Sequence, residues 1–94
     1  MKGEQFKPLK TKQFLDKENE LPLDVYKALI KCLELLLKNP RHPSLGVKKV
    51  QGVKGREIYE ARVNQKYRLT FEFLKGNLIL LRNVDNHDAC LKKP

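Results

Sequence analysis

YEARVNQKYRLTF, the segment Tyr59–Phe71, alternates apolar and polar side chains on either side of a short polar stretch. Alternation with a period of two is typical of β-strands that have one buried face. Directly opposed residues of an antiparallel pair share a face, so the register must match apolar with apolar. A three-residue loop over Asn64–Lys66 achieves this match, because it pairs Tyr59 with Phe71. The segment therefore predicts an antiparallel hairpin with one apolar and one polar face.

The same register defines the polar face of the hairpin. It sets Arg62 opposite Arg68 and Glu60 opposite Thr70. Two directly opposed arginines repel at a cost of about 0.2–1 kcal/mol. An anion between them would relieve that repulsion, since guanidinium groups fork onto phosphate oxygens. The alternatives are that both side chains splay into water or that Glu60 bridges them.

A third strand is indicated by Leu78–Val84, which is apolar on both faces, as a central strand would be. Lys75–Asn77 predicts a tight turn that joins it to the hairpin. If that turn has three residues, Arg82 falls opposite Thr70 on the polar face. His87 follows the strand, and we expect it at the rim of the same face.

Two helices are predicted before the sheet. Thr11 can cap a helix over 12–20, with Phe14 and Leu15 facing inwards. A second helix over 22–38 is bounded by prolines and carries one apolar stripe at three- and four-residue steps. The stripe consists of Leu23, Tyr26, Leu29, Ile30, Leu33, Leu36 and Leu37.

The remaining segments complete the expected fold. Glu4–Leu9 could be a short strand, which Pro8 would confine to a sheet edge. The turn-rich segment Arg41–Gly55 predicts a loop or a weakly ordered strand. With 94 residues the chain has room for one domain, residues 1–94. We therefore predict an α+β fold, with two N-terminal helices packed on one face of a small, twisted, mainly antiparallel sheet.

The chain is strongly basic, with a formal net charge of +9. Between Lys38 and Arg68, nine lysines and arginines face two glutamates, so this third of the chain carries about +7. A charge of this size favours polyanionic partners such as RNA or DNA, although a solvated basic surface is the alternative. We take as candidate RNA-binding residues Lys48, Lys49, Lys54, Arg56 and Arg82.

Several classes of protein are disfavoured. Apolar runs such as Leu35–Leu37 are far too short to cross a bilayer, and the N-terminus lacks the apolar stretch of a secretory signal. Cys32 and Cys90 have no disulfide-framework spacing, which suggests a reducing compartment, and Cys32 fits a core position. We expect a cytoplasmic protein without a membrane partner. The sequence does not indicate an oligomeric state.

Neither a cofactor nor a metal is expected. The chain has no glycine-rich phosphate loop, nucleophile elbow or dinucleotide fingerprint. His42 and His87 lack the spacing of metal ligands. Asp85 and Asp88 flank His87, which leaves a slim metal alternative.

Four residues of the polar face suit RNA cleavage without a metal. That reaction needs a base for the 2′-hydroxyl proton, an acid for the leaving oxygen and cations for the transition state. Glu60 and His87 could be base and acid in either order, with Arg62 and Arg68 as the electrostatic clamp. The alternative is that His87 is simply an exposed or structural residue.

Three motifs occur in a familiar order: HPSL at His42–Leu45, YEARVNQKYRLTF at Tyr59–Phe71 and LLRNVDNHD at Leu80–Asp88. Together they resemble the RelE/ParE toxin superfamily, and the similarity extends over nearly the whole chain. The resemblance implies two N-terminal helices packed on a twisted, mainly antiparallel sheet, as expected from the residue patterns.

The superfamily also implies a function. RelE-type members cut mRNA in the ribosomal A site by attack of a 2′-hydroxyl on the adjacent phosphate, and an antitoxin from the same operon silences them. ParE-type members poison DNA gyrase instead. The resemblance thus implies an mRNA endoribonuclease of a type II toxin–antitoxin pair, with an acidic cognate antitoxin, the ribosome and mRNA as partners. The alternatives are a gyrase inhibitor and a non-catalytic RNA- or antitoxin-binding domain.

By position, the resemblance assigns Arg68 to the transition-state arginine, Arg62 to a second sheet arginine and His87 to the C-terminal acid or base. Asp88 departs from the pattern, because many ribonuclease members have an aromatic or basic residue there. The identity of the general base stays open among Glu60, Glu57 and His87.

Overall fold

The computed structural model describes residues 5–94. Its five strands form one sheet in the order β1-β5-β4-β3-β2, in which β1 runs parallel to β5 and the other neighbours are antiparallel. This arrangement confirms the predicted α+β class. The elements are β1 (Lys7–Lys10), α1 (Lys12–Asn19), α2 (Leu23–Lys38), a 3-10 turn (Pro43–Leu45), β2 (Lys48–Lys49), β3 (Tyr59–Arg62), β4 (Tyr67–Leu74), β5 (Leu78–Asn86) and α3 (His87–Lys92).

The β3–β4 hairpin has the register that the alternation predicts. Tyr59 pairs with Phe71, and Arg62 pairs with Arg68. The Asn64 side chain accepts hydrogen bonds from the backbone N–H groups at positions 66 and 67, at 2.9 and 2.8 Å. An asparagine side chain that closes its own turn in this way stabilises the three-residue loop.

The β4–β5 pairing differs from the prediction at one point. The register shifts between Thr70 and Phe71, so Thr70 pairs with Asn83 rather than with Arg82. A bulge leaves one residue of β5 without a direct partner. Because of it, Leu81 and Val84 are both fully buried although they are three positions apart. The predicted Arg82–Thr70 pairing is therefore wrong.

Helix α1 begins as predicted. The Thr11 side chain accepts a hydrogen bond from the Phe14 backbone N–H at 3.1 Å, which satisfies one of the free donors at the helix start. Phe14 is fully buried. Leu15 is exposed, so its predicted inward orientation is wrong.

Helix α2 confirms the predicted span but buries a narrower stripe. Leu29, Leu33 and Leu36 are buried against the sheet, together with Val25 and Cys32. Three residues expected in the core are exposed instead: Leu23, Tyr26 and Ile30.

Both sheet edges are short. Strand β1 confirms an edge strand at the predicted place, but it begins at Lys7 and ends at Lys10, and Glu4 lies outside the described residues. Strand β2 falls within the segment predicted as a loop or weak strand, and its Lys48 pairs with Glu60 of β3.

The two faces of the sheet are covered differently. The helix face, which contains Ala61 and Leu69, packs against α1 and α2. The polar face contains Glu60, Thr70 and Asn83, and α3 with residues 93–94 lies across it. The three polar side chains are at most 4% exposed. The polar face is therefore buried, not open as the sequence suggested.

Among the described residues, no helix is long and apolar enough to cross a membrane.

Candidate functional site

A row of polar residues crosses the sheet beneath α3. Pairing places Lys48, Glu60, Thr70 and Asn83 side by side on β2 to β5. Lys48 is exposed, whereas the other three are buried. A cavity of about 470 Å³ is lined by Lys48, Glu60 and Leu91, among others. The row therefore opens to solvent at its Lys48 end, between β2 and α3.

Glu60 and Arg68 form the central pair of the site. Glu60 Oε1 lies 3.7 Å from Arg68 Nε, and the two side chains are 5% and 17% exposed. Arg68 Nη1 also donates to the backbone oxygens of Asn64 and Gln65, at 2.7 and 3.3 Å. The guanidinium is thus fixed against the β3–β4 turn, and a carboxylate holds its other side.

His87 lies at the same turn, although the sequence did not predict that it begins a helix. Its backbone N–H donates to the oxygen of Lys66 at 2.8 Å, and the Asn86 side chain caps α3 by accepting from Ala89. The imidazole is 42% exposed, with Nδ1 3.5 Å from a carboxylate oxygen of Asp88. The structure therefore brings His87 and the Arg68 guanidinium to one turn.

The guanidinium of Arg62 lies elsewhere. The backbone of Arg62 pairs with that of Arg68, as predicted. Its side chain, however, reaches Gly46, where a built β-carbon would lie 3.5 Å from Arg62 Nη2. Strand β2 begins at Lys48, opposite Glu60, so it does not extend to Arg62, whose side chain bends around the sheet edge. The sequence left open that both arginines point into water or that Glu60 bridges them. In the structure Glu60 contacts Arg68 alone, and the Arg62 side chain points away from Arg68.

Glu72 is a site residue that the sequence analysis did not single out. Its Oε2 accepts from Arg56 Nη1 at 2.9 Å and from Arg82 Nη1 at 2.6 Å, and it is largely buried. Arg82 Nε also donates to the main-chain oxygen of Pro94 at 3.0 Å. Two candidate RNA-binding arginines are therefore ion-paired in the structure. The signal was available, because alternation places Glu72 on the same face as Thr70.

The three candidate lysines lie on or beside β2. Lys48 borders the cavity next to Glu60, and Lys49 Nζ is 4.0 Å from a Glu57 oxygen. Lys54 lines a second cavity, of about 490 Å³, together with Arg82. Lys48 and Lys49 therefore lie at the mouth of the site, whereas Lys54 lies at the second cavity.

Neither thiol is suited to nucleophilic chemistry. Burial raises the pKa of Cys32 to about 12. Burial also raises the pKa of Cys90 to about 11, although hydrogen bonding with Thr70 partly opposes it. Both cysteines are free and buried, so their thiolates are scarce at neutral pH. Within residues 5–94, no group of three or more His, Cys, Asp or Glu side chains could hold a metal ion.

The fold and this site define a small basic α+β domain with the RelE-like toxin fold. A chain of the archaeal RelE–RelB complex from Pyrococcus horikoshii superposes with a TM-score of 0.71 and 20% identity, over 87% of this chain and 94% of that one. A chain of the RelB–RelE complex from Methanococcus jannaschii gives a TM-score of 0.67 and 22% identity, over 86% and 92%.

The YoeB/ParE toxin from Agrobacterium tumefaciens gives a TM-score of 0.73 and 10% identity, over 87% of this chain and 99% of that one. No family model and no curated protein sequence matches the chain. The resemblance to the RelE/ParE superfamily is therefore confirmed in the fold.

Proposed function

We propose that this protein is the toxin of a type II toxin–antitoxin pair and cleaves mRNA on the ribosome. The observation that carries the proposal is the Glu60–Arg68 pair, held with His87 at one turn of a RelE-like fold. A fixed guanidinium, and an exposed imidazole whose backbone lies at the same turn, are the two groups that phosphodiester cleavage needs most, a cation and a proton carrier.

In the proposed reaction the 2′-oxygen attacks the adjacent phosphorus and the bond from phosphorus to the 5′-oxygen breaks. The proton of the 2′-hydroxyl passes to a base, and the leaving 5′-oxygen takes a proton from an acid. Arg68 binds the phosphate and stabilises the negative charge that builds up on its oxygens. No step requires a metal or a cofactor.

His87 is the proton carrier that a substrate can reach, because its imidazole is 42% exposed. Glu60 is buried and faces the mouth of the site through the cavity it shares with Lys48. We assign Glu60 as the base, or as the group that positions Arg68, and His87 as the acid or base that meets the substrate. Lys48, Lys49 and Lys54 guide the RNA backbone.

An acidic cognate antitoxin is the proposed protein partner, and the cytoplasm is the proposed location because ribosomes and mRNA are there. The net charge of +9 favours an acidic partner. Two of the similar structures are RelE–RelB complexes, in which such proteins are paired.

The test is a cleavage assay on ribosomes stalled with an empty A site, with mapped mRNA ends and ribosome-free mRNA alongside. We expect cuts only with ribosomes, and their loss in Arg68→Ala and His87→Ala variants that remain folded. Undiminished cutting by both variants would refute the site assignment. Cuts in free mRNA would indicate an autonomous ribonuclease, and no cuts would refute the proposed reaction.

Two observations favour non-ribonuclease alternatives. One similar structure is a YoeB/ParE toxin, which keeps gyrase inhibition as a second candidate. Breaks in DNA on gyrase after expression would support it. The burial of Glu60 beneath α3 would also suit a domain that only binds RNA or an antitoxin. RNA binding with a steep salt dependence and no turnover would support that third candidate.

A further inference from the structure

A second group of cationic side chains surrounds the 3-10 turn Pro43–Leu45, within the HPSL motif that the proposed reaction leaves without a role. It lies at the edge of β3, on the side towards α2, away from the Glu60–Arg68 pair. We call this surface the edge notch and define it by Lys31, Arg41, His42, Ser44 and Arg62.

Arg62 differs from the other arginines of the sheet. Arg56 and Arg82 are paired with Glu72, and Arg68 is paired with Glu60. Within residues 5–94, the Arg62 guanidinium has neither a hydrogen bond nor an ion pair with another side chain. A cavity of about 230 Å³ beside it is lined by Lys31, Ser44 and apolar residues, without a carboxylate. The charge of Arg62 is therefore free for an external anion.

His42 lines the neighbouring cavity at this surface, and hydrogen bonds within the turn fix its tautomer. Its Nδ1 accepts from the Ser44 backbone N–H at 3.1 Å, and the Ser44 hydroxyl lies 2.8 Å from that nitrogen. A backbone N–H can only donate, so Nδ1 carries no proton and the proton of the neutral ring is on Nε2. The turn therefore fixes the tautomer that keeps Nε2–H as a donor.

Gly46 joins the two halves of the notch. It lines a cavity of about 400 Å³ with Arg41 and His42, again without a carboxylate, and the Arg62 guanidinium lies against it. Its φ of +56° is in the left-handed region that favours glycine. The exposed Gly46 thus lies beside the Arg62 guanidinium and shares one cavity with Arg41 and His42, while Lys31 shares the neighbouring cavity with Arg62.

We infer that the edge notch binds backbone phosphates of RNA and docks the protein, separately from the Glu60–Arg68 site. Arginine, lysine, serine and histidine N–H groups are the donors that contact phosphate oxygens, and such contacts position a nucleic acid without reading its sequence. The choice of RNA as the polyanion rests on the proposed function. In this assignment Arg62 is a docking residue and not part of the chemical step.

The test measures the Kd of a 2′-O-methyl RNA oligonucleotide at several salt concentrations. This probe lacks the 2′-hydroxyl, so it cannot be cleaved by the proposed reaction. We expect Arg62→Gln to weaken binding about 5–10-fold and to lower the salt slope by about 1. The control is Lys75→Gln, which removes the same charge from the exposed β4–β5 turn, and we expect a change below about twofold there.

Equal losses in the two variants would overturn the inference, because they would show a diffuse charge effect. Unchanged RNA binding by Arg62→Gln, with weakened binding of a polyglutamate peptide, would also overturn it and indicate an acidic protein partner. Thermal unfolding of both variants shows whether the fold is kept. If Arg62→Gln is unfolded, His42→Gln is measured in its place, with the same expected direction.

The outcome is independent of the cleavage reaction. Failure to cut mRNA on ribosomes would refute the proposed activity and leave the binding result standing. A protein that cuts mRNA, but whose Arg62→Gln variant binds the oligonucleotide like wild type, would refute the edge notch alone.

Discussion

The helix face and the polar face of the sheet are both buried, but by opposite chemistry. Phe14, Leu29 and Phe71 pack the helix face and are fully buried, whereas α3 and residues 93–94 lie on hydrogen-bonding groups such as Thr70 and Asn83. Apolar burial contributes stability with no demand on partners. Buried polar groups contribute little net stability, and each one that loses its partner is costly. The helix face therefore contributes most of the stability of the fold, and the polar face contributes less.

The polar face beneath α3 also contains a hydrogen-bonding group without a partner. The Asn83 side-chain nitrogen donates to the Lys93 oxygen at 2.9 Å, but its buried oxygen Oδ1 has no partner within the described residues. Its cross-strand neighbour Thr70 donates to the main-chain oxygen of Pro94 instead. An unpaired buried acceptor lowers the stability of the closed arrangement. We call α3 and residues 93–94, which lie on the polar face, the α3 cover. This layer is thus less stable than the layer that α1 and α2 form on the helix face.

The largest expected effect is on the helix face. Phe71→Ala removes a fully buried ring that contacts Tyr59 and Phe73. We expect the free energy of unfolding to fall by about 3–5 kcal/mol, from lost burial and the cavity left behind. Urea unfolding measures it. A loss below about 1 kcal/mol would mean that this face is not the main source of stability.

Arg68→Gln is expected to lower ribosome-dependent cleavage about 100–1000-fold, because one fixed donor to the transition state is lost. It also leaves Glu60 buried without its cation, which destabilises the protein. The double variant Arg68→Gln, Glu60→Gln is therefore the fold control. We expect it to be more stable than Arg68→Gln and equally inactive. Recovery of cleavage in the double variant would show that Arg68 acts only through stability.

The two cysteines report the two layers separately. Cys32 belongs to α2 and is buried against the helix face of the sheet, and Cys90 is on the inner side of α3. Burial raises the pKa of both thiols, to about 12 and about 11, so only transiently opened molecules react. We expect Cys90 to be alkylated at least tenfold faster than Cys32, because α3 opens locally while Cys32 needs wider unfolding.

Single-cysteine variants, Cys32→Ala and Cys90→Ala, separate the two alkylation rates by mass spectrometry. Both rates should rise with pH, because the opened thiol ionises near its ordinary pKa of 9.0 while the folded thiol stays neutral to higher pH. Because the thiol pKa is higher in the folded than in the unfolded protein, both thiols lower the free energy of unfolding as the pH rises above about 9. Equal rates for the two cysteines would mean that the two layers open together.

Much of the fold could be predicted, because alternation constrains a hairpin strongly. A slip of one residue in the β3–β4 pairing would have buried Arg62 and Arg68 among apolar side chains, so a single register was possible. The first half of β5, Leu78–Leu81, is apolar on both faces and gives no such constraint. The bulge at Arg82 therefore left no signal in the residue pattern.

The site was predicted less completely, because parts of it depend on contacts between segments that are distant in the sequence. Helix α3 has six residues, too few to form in isolation, and its contacts with β4 and β5 stabilise it. The direction of the Arg62 side chain depends on where β2 begins, which the residues of β3 do not encode. The Glu60–Arg68 pair was within reach, since both residues lie on one face of the predicted hairpin.

The smallest expected effect separates the layers most directly. Thr70→Val keeps the shape of a fully buried side chain and removes its 2.9 Å hydrogen bond to the Pro94 oxygen. We expect the free energy of unfolding to fall by about 1 kcal/mol or less, the usual net value of one hydrogen bond. Because the lost bond holds the cover, Cys90 should be alkylated faster while the rate at Cys32 hardly changes. If both rates rose by the same factor, the hydrogen bond would stabilise the whole domain, and α3 would not be a separate, weaker layer.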